Sequence, residues 1–446
     1  MLLARRDFLR VGTVAVAALG ASPALAAPRQ KPRSVILIFL DGGTSHIDLF
    51  DMKPEAPAEI RGPFRPIATS VSGVRVCEHL PRLARRMHQL LQLRSLHHTD
   101  GIHDPAVYLT LTGKRHPTPL GGLKTSPDDD PHIGGLFAAL APNRPAAVPG
   151  WFELPETMKM DGRTLPGQNG GFLGHAADPF RCPVAADGSV HAPNLDLPEG
   201  VAADRLLLRG NLRTVLDRRL AAIDANAFDA VRGQAVELLA SPRFRTAFDL
   251  GKEPDATRDR FGRHRQGQSV LLARRLVEAG ARFVTVYWGR EQQDWADGVK
   301  GRFANNPWDT HRNHFPLLKE SLLPRADQTL SALLDDLSDR GLGEEVMVVW
   351  MSEFGRTPRI TKPWASRDHW PSANTILFAG GGVAGGHVLG RTDAKAASVV
   401  DFPATPADVV ATILTALGCQ DHEIHSRDGR PLTACTGAPI DRIYSG

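Results

Sequence analysis

The most regular feature of the chain is a series of short apolar runs, each of which ends at polar or glycine residues. The first run, Ser34 to Leu40, is apolar after its serine and stops at Asp41. Unbroken runs of this length are typical of strands that are buried on both faces of a parallel sheet. Four further strands of the same kind are predicted at Leu90–Leu96, Arg282–Trp288, Val346–Met351 and Thr375–Ala379.

Helical periodicity fills the segments between these strands. Leu317 to Leu337 has a continuous apolar face, and similar patterns occupy Gln268 to Ala279 and Pro406 to Leu417. Residues 197–265 are rich in Leu, Ala, Arg and Asp, and they predict a helical insertion that flanks the sheet. Strands that alternate with helices predict an α/β fold, with a mostly parallel central sheet and helices on both faces.

The first 26 residues have the organisation of an export signal. The pair Arg5-Arg6 precedes a short apolar run at 11–19 and a small-x-small cleavage site at 24–26. This order resembles a twin-arginine signal, which an export receptor recognises. We therefore expect the twin-arginine export machinery to act on residues 1–26, leaving residues 27–446 as one periplasmic or secreted domain.

Replacement of both Arg5 and Arg6 by Lys is expected to leave the precursor in the cytoplasm with residues 1–26 uncleaved, because the receptor recognises the arginine pair. Cell fractionation followed by mass spectrometry of the N-terminus measures this. Normal periplasmic appearance of the double variant would contradict the prediction.

Composition narrows the class of protein. The chain has 446 residues, of which 42% are hydrophobic and 23% are charged, so disorder is not expected. A formal charge of +4, scattered along the chain, does not suggest a nucleic-acid partner. The sequence contains no apolar run of about 20 residues, so no membrane span is predicted.

The four cysteines permit two interpretations. They are Cys77, Cys182, Cys419 and Cys435, and no C-x-x-C motif occurs, so a structural zinc site is not expected. In an exported protein Cys419 and Cys435, which bracket a short polar loop, are candidates for a disulfide. The alternative is four buried free thiols.

Polar residues follow the predicted strands at the edge where ligands bind in open α/β sheets. Asp41 follows the first strand, residues 95–103 lie at the end of the second and just beyond it, and Glu353 follows the fourth. The loops at 308–314 and 367–370 add further Asp and His residues. Carboxylates and imidazoles together predict a site for zinc, manganese or a related divalent metal. Helix capping by the acids is the alternative, but it does not account for the histidines.

A set of short motifs is spread over the chain. They are Asp41-Gly42-Gly43-Thr44-Ser45, Arg94-Ser95, Leu111-Thr112-Gly113, Gln168-Asn169-Gly170-Gly171-Phe172-Leu173-Gly174, Trp308-Asp309-Thr310-His311, Glu353-Phe354-Gly355-Arg356-Thr357-Pro358, Arg367-Asp368-His369-Trp370, Gly380-Gly381-Gly382 and Asp428-Gly429-Arg430-Pro431. Together they resemble domain-of-unknown-function family 1501, over nearly all of the mature chain. Members of that family look like exported bacterial relatives of the alkaline phosphatase and sulfatase superfamily. The resemblance implies an alkaline-phosphatase-like fold.

The resemblance also implies that the protein binds one or two divalent metal ions, of Zn, Mn, Ca or Mg. Asp41 matches the aspartate that binds metal after the first strand. Glu353 matches an acid that the superfamily usually follows with His or Asn, whereas Phe354 at that next position cannot ligate. For a second metal, the matching residues are Asp309, His311 and His369, with Asp368 as either a ligand or a residue that orients an imidazole.

The nucleophile stays open between several residues. Superfamily enzymes place Ser, Thr or a modified Cys about ten residues before a Leu-Thr-Gly, and that position here is His103. His103 is either a metal ligand or a phosphoryl-accepting nucleophile, while Ser95 is either a nucleophile or a cap. Attack by a metal-bound hydroxide needs neither residue. Arg94, Arg356 and Arg367 are candidates to bind a pair of phosphate or sulfate oxygens, or to form ordinary ion pairs.

The sequence therefore predicts an exported, metal-dependent hydrolase of phosphate or sulfate esters, with a small-molecule or carbohydrate ester as substrate. The alternative from another class is a non-catalytic secreted binding protein that retains the fold and a structural metal. A Rossmann-type oxidoreductase is excluded, because no G-x-G-x-x-G motif follows the first strand.

Overall fold

A central eight-stranded sheet organises the computed structural model, which describes residues 31–141, 148–185, 187–190, 241–289, 308–362, 364–419, 423–425 and 429–445. Its strands are β1 (Ser34–Leu40), β2 (Leu90–Leu96), β3 (Phe152–Leu154), β4 (Phe180–Arg181), β5 (Phe283–Trp288), β6 (Val346–Met351), β7 (Asn374–Ala379) and β8 (Val388–Leu389). Their spatial order is β8-β2-β7-β6-β1-β5-β3-β4. The export signal predicted for residues 1–26 lies outside the described residues.

The sheet is parallel except at one strand. β1 pairs parallel with β6 and β5, β3 pairs parallel with β5 and β4, and β8 pairs parallel with β2. Only β7 runs against its neighbours β6 and β2. The predicted α/β fold with a mostly parallel sheet is confirmed, and the carboxyl ends of β1, β2, β5 and β6 lie at one edge.

The absence of polar alternation in β1 follows from burial on both faces. Val35, Leu37 and Phe39 belong to one core, whereas the intervening residues Ile36 and Ile38 belong to the core on the other face. All five side chains are almost completely buried. A strand between two helical layers has no face for polar side chains, which is why the apolar run is continuous.

Helices cover both faces of the sheet. The longer ones are α1 (His103–Thr112), α2 (Ile133–Leu140), α3 (Pro242–Phe248), α4 (Asp255–Phe261), α5 (Arg265–Ala279), α6 (Leu323–Asp339) and α7 (Pro406–Ala416). Side chains of α1, α2 and α7 form the core on one face, and those of α3 to α6 form the core on the other. None of these helices, within the described part of the chain, is both long enough and apolar enough to cross a bilayer.

One predicted helix begins earlier in the structure, and another is confirmed. The pattern predicted from Leu317 begins earlier, with a helical turn at His314–Leu317 and a π-helical segment at Leu318–Leu322 that leads into α6. The helix predicted at Pro406 is confirmed, and a capping box between Thr405 and Asp408 starts it.

Shorter elements connect the main ones. Short α-helices span His46–Leu49, Ala58–Arg61 and Pro81–Ala84. Single 3₁₀ turns span Met87–Gln89, Gly171–Leu173, His175–Ala177, Leu250–Lys252 and Asp441–Tyr444. Two-stranded pairs join Pro66–Ala68 to Arg75–Cys77, Lys159–Met160 to Arg163–Thr164, Gly355–Arg356 to His369–Trp370, Arg391–Thr392 to Val399–Asp401, and Glu423–His425 to Pro431–Thr433.

The described end of the predicted insertion is helical and packs on the sheet. Phe244 of α3 stacks on Phe152 of β3, with ring centroids 5.8 Å apart. Arg275 of α5 donates a 2.8 Å hydrogen bond to the Ala247 carbonyl. Residues 197–240 of the insertion lie outside the described residues.

The disulfide predicted between Cys419 and Cys435 is wrong, because all four cysteines are free and buried. The Cys435 thiol lies 3.2 Å from the Ala407 carbonyl, and both cysteines belong to the apolar core beneath α7. Burial raises the pKa of the Cys419 thiol to about 11. Both thiols are therefore protonated packing groups at neutral pH.

Candidate metal centre

The parallel pairing of β1 and β6 places Asp41 and Glu353 near each other. Phe39 and Met351 are register partners, and each acid lies two residues further along its chain. The Gly42 backbone N–H donates a 2.9 Å hydrogen bond to Glu353 Oε1. Gly42 has a φ of +121°, and a Cβ there would collide with the backbone nitrogen of Asp309. Glycine therefore permits the loop after β1 to approach the loop that carries Asp309.

Three imidazoles surround the carboxylate of Asp309. Its Oδ1 lies 3.0 Å from His311 Nε2 and 3.1 Å from His369 Nε2, and its Oδ2 lies 3.3 Å from His103 Nε2. Ligand atoms of His103, Asp309 and His369 all lie within 4.8 Å of one another, a spacing that suits a single metal ion. These residues are contributed by the start of α1, the loop before His314, and the short strand His369–Trp370.

Each of these histidines is hydrogen-bonded on its outer side. Glu353 Oε1 lies 2.8 Å from Nδ1 of His103, Asp368 Oδ1 lies 2.7 Å from Nδ1 of His311, and the Gly101 carbonyl lies 2.8 Å from Nδ1 of His369. These partners are acceptors, so each Nδ1 carries hydrogen. In a neutral ring Nε2 is then the atom with a free electron pair, which is the arrangement found in metal-ligating histidines.

The inner atoms of the group fit a cation. The Nε2 atoms of His311 and His369 are 2.8 Å apart, a distance at which two nitrogen lone pairs repel unless a proton or a metal ion lies between them. Among the described residues, His103 Nε2 and Glu353 Oε2 are buried without a hydrogen-bond partner. The donor set and its geometry therefore fit a divalent metal.

The electrostatics show how a proton substitutes for a cation here. Burial opposes ionisation of Asp309, but the Arg356 charge and the three surrounding imidazoles outweigh it and hold the pKa of Asp309 well below its usual range. Burial lowers the pKa of His103, but the nearby carboxylates of Asp309 and Glu353 outweigh it and raise that pKa to about 10. A bound cation would compete with this proton.

Arg356 is fully buried beneath the centre. Its Nη2 donates to Asp309 Oδ1 at 2.7 Å and to the Trp308 carbonyl at 2.9 Å, and also to the Gly42 carbonyl. Its Nε donates to the Gly43 carbonyl at 2.9 Å. These bonds join the loop after β1 to the loop of Asp309 and direct the guanidinium at protein oxygens.

Phe354 lies against the imidazoles. Its ring centroid is 5.1 Å from that of His103 and 4.4 Å from that of His369. Gly43, with a φ of +88°, makes room for this ring, because a Cβ at Gly43 would come within 2.6 Å of it. The phenyl ring thus restricts two of the imidazoles instead of supplying a ligand.

The structure does not bring Ser95 and Arg94 to this group. The Ser95 side chain is fully buried and faces Gly390, where an added Cβ would collide with its hydroxyl. The Arg94 guanidinium bonds Gln92 at 2.9 Å and lies 3.6 Å from Asp51. Asp41 is buried at the end of β1, and its carbonyl accepts from the Trp308 N–H at 3.3 Å.

Two contributors to the centre carry little or no signal in the sequence. The Gly101 carbonyl orients His369, and a backbone oxygen has no side-chain signature. The packing role of Phe354 is equally invisible, since an aromatic residue is more often ordinary core. The proximity of Gly101 to His103 in the chain is the one hint that this loop belongs to the site.

We compared the chain with protein families, curated proteins and solved structures. One similar solved structure is the PsFucS1 sulfatase from Pseudoalteromonas sp., which is 14% identical in sequence. The match covers 98% of this chain and 75% of that chain, with a TM-score of 0.41. Another is the phosphonate monoester hydrolase SpPMH from Silicibacter pomeroyi, which is 12% identical in sequence. The match covers 92% of this chain and 76% of that chain, with a TM-score of 0.33. No curated protein matches the sequence. Residues 32–444 match the family described as protein of unknown function (DUF1501), so the chain belongs to that family.

Proposed function

We propose that this protein is an exported, metal-dependent hydrolase of phosphate or sulfate esters, located in the periplasm or secreted. The observation that carries the proposal is the convergence of the Nε2 atoms of His103, His311 and His369 on Asp309, with each Nδ1 bonded outward. Three imidazoles and a carboxylate favour zinc or manganese over magnesium and calcium, which prefer oxygen ligands.

Asp309, His103, His311 and His369 would hold the metal. Glu353 would orient His103, and its buried Oε2, together with Asp41, would serve a second ion if one binds. A bound divalent ion supplies charge stabilisation for the ester oxygens and a lowered pKa for bound water. In this proposal Asp368 orients His311 rather than ligating, because its carboxylate lies at Nδ1 of that ring.

Access to the centre is from the side of His311 and His369. Their side chains are 34% and 20% exposed, whereas that of His103 is 7% exposed. An ester would therefore approach His311 and His369, with His103 at the inner wall. Because Ser95 is buried against Gly390, water rather than Ser95 would be the nucleophile.

The sequence left Arg356 open between binding ester oxygens and forming an ion pair. Because Arg356 is fully buried and donates to Asp309 and to the carbonyls of Gly42, Gly43, Trp308 and Arg367, we propose that it positions Asp309 and does not bind the ester. Arg94 is directed at Gln92 and Asp51 and has no part in the proposal.

A non-catalytic secreted binding protein is the second candidate function. It is favoured by Phe354, which packs on two imidazoles at a position where the superfamily usually has a ligand. It is also favoured by the burial of Ser95, which removes the hydroxyl that the sequence offered as a nucleophile. A catalytic assay separates the two functions.

Removal of the metal is expected to lower the melting temperature. With free metal at 100 times its Kd, binding stabilises the folded state by about 2.7 kcal/mol, so excess chelator should lower Tm by roughly a few degrees. Elemental analysis and calorimetry of the purified mature protein measure both quantities. If the purified protein contains no stoichiometric metal and chelator does not change its Tm, the proposed metal-dependent hydrolase function is contradicted.

Activity is tested on the same preparation with a panel of p-nitrophenyl phosphate and sulfate esters. Metal-dependent release of nitrophenol supports the hydrolase and identifies the ester class. Stoichiometric metal without turnover of any ester supports the binding protein.

A further inference from the structure

A fully buried carboxylate, Asp48, joins two loops that carry candidate metal ligands. Asp48 lies in the short helix His46–Leu49 and is completely buried. Its Oδ2 accepts from Arg367 Nε at 2.6 Å, and its Oδ1 accepts from Arg367 Nη2 at 2.9 Å. The same Oδ2 lies 2.8 Å from His314 Nε2. One carboxylate thus binds an arginine in the bidentate geometry and an imidazole at the same time.

Arg367 connects Asp48 to the loop of His369. It directly precedes Asp368 and His369 in the chain, and it is itself completely buried. Its remaining donors bond the Thr357 carbonyl at 2.9 Å, the Ile60 carbonyl at 2.7 Å and also the Pro358 carbonyl. Arg367 therefore fixes the start of the segment that carries His369.

His314 connects Asp48 to the loop of Asp309. Its Nδ1 lies 2.6 Å from the Thr310 hydroxyl, and Thr310 is the residue between Asp309 and His311. The Thr310 carbonyl in turn accepts from Ser366 Oγ at 2.6 Å, which ties this loop to the loop of Arg367. The two loops are thereby joined both directly and through Asp48.

The direction of these hydrogen bonds follows from charge. Burial opposes ionisation of Asp48, but Arg367 and His314 hold its pKa well below the usual range. Burial lowers the pKa of His314, so its ring is neutral. The ring then donates Nε2–H to Asp48 and accepts the Thr310 hydroxyl hydrogen at Nδ1, which fixes one orientation of each group.

We infer that Asp48 is a positioning residue for the metal centre, and that it sets the relative placement of the loops of Asp309 and His369 before metal binds. This inference rests on the proposed function. A buried ion pair of this kind adds little stability, because desolvation of the two charges offsets their attraction. A metal site needs its ligands held to within about 0.5 Å, and a rigid buried pair provides that constraint.

The test compares Asp48→Asn with a matched buried pair elsewhere. Asp336 lies 2.8 Å from Nε of the fully buried Arg274, in the layer of α5 and α6, so Asp336→Asn removes an equivalent charge away from the loops. We expect both variants to lower the Tm of the metal-free protein. Only Asp48→Asn should weaken zinc binding, by about tenfold or more, as measured by competition with a chromogenic chelator.

Thr310→Val is the second variant and covers the case in which Asp48→Asn does not fold. It removes only the hydroxyl that His314 accepts from, and it too should weaken zinc binding while the Tm of the metal-free protein changes little. Wild-type zinc affinity in Asp48→Asn or in Thr310→Val, or equal loss in Asp336→Asn, would overturn the inference. Failure of the wild type to bind zinc or manganese would instead overturn the proposed function.

Discussion

Asp309→Asn is expected to lose stoichiometric metal. Asp309 is the one carboxylate that lies within 3.3 Å of three imidazole Nε2 atoms in the described residues. An amide supplies a weaker ligand without charge, and it leaves the imidazoles without the anion that balances a divalent cation. Loss of an outer hydrogen-bond partner typically costs about 10- to 100-fold in metal affinity. We expect the loss of Asp309 to exceed that range, as measured by chelator competition and elemental analysis.

Asp104→Asn is the matched control for this measurement. Asp104 is also buried and adjoins His103, but its Oδ2 accepts from the Leu123 N–H at 2.8 Å and from Arg163 Nη1 at 3.1 Å. Its carboxylate is thus committed elsewhere, so the variant should lose some stability and keep its metal. Full metal content in Asp309→Asn, or equal loss in the two variants, would rule out Asp309 as the central ligand.

Arg356→Met is expected to lower the free energy of unfolding of the metal-free protein by about 3–5 kcal/mol. The substitution removes the guanidinium that pairs with the buried Asp309, and it removes the donor to the Gly43 and Trp308 carbonyls. Buried acceptors without partners add to the loss. Urea denaturation monitored by tryptophan fluorescence measures the change.

An exposed arginine gives the comparison. Arg260 pairs with Asp339 at 2.9 Å, but the two side chains are 36% and 63% exposed. Because water screens such pairs, Arg260→Met should cost less than about 1 kcal/mol. If the two variants lose similar amounts of unfolding free energy, Arg356 does not stabilise the loops around Asp309 as proposed.

The sequence by itself determined the layered α/β architecture. The continuous apolar run of β1 requires cover on both faces, and the pattern of α7 with Thr405 before it fixes a helix start, because these signals depend on residues close together in the chain. The same local logic placed Asp41 and Glu353 after buried strands, at the edge where ligands bind.

The sequence also identified residue types suited to metal binding, although it left their partners undetermined. Asp309, His311 and His369 were predicted as one group, and the structure brings them into contact with one another. His103 was open between ligand and nucleophile, and the structure gives it Glu353 on one side and Asp309 on the other. These contacts join residues up to 250 positions apart, a separation that local patterns do not report.

Tertiary structure alone decided which polar residues face the centre. Ser95 lies near the end of β2 and His103 follows that strand, yet Ser95 is buried against Gly390 and His103 lies beside Asp309. Cys419 and Cys435 are close in sequence, yet both pack as free thiols in the core. In each case a distant segment supplies the packing surface, and a one-residue change of register turns a side chain to the other face. Composition and local periodicity therefore specify the layers, whereas long-range packing specifies the site.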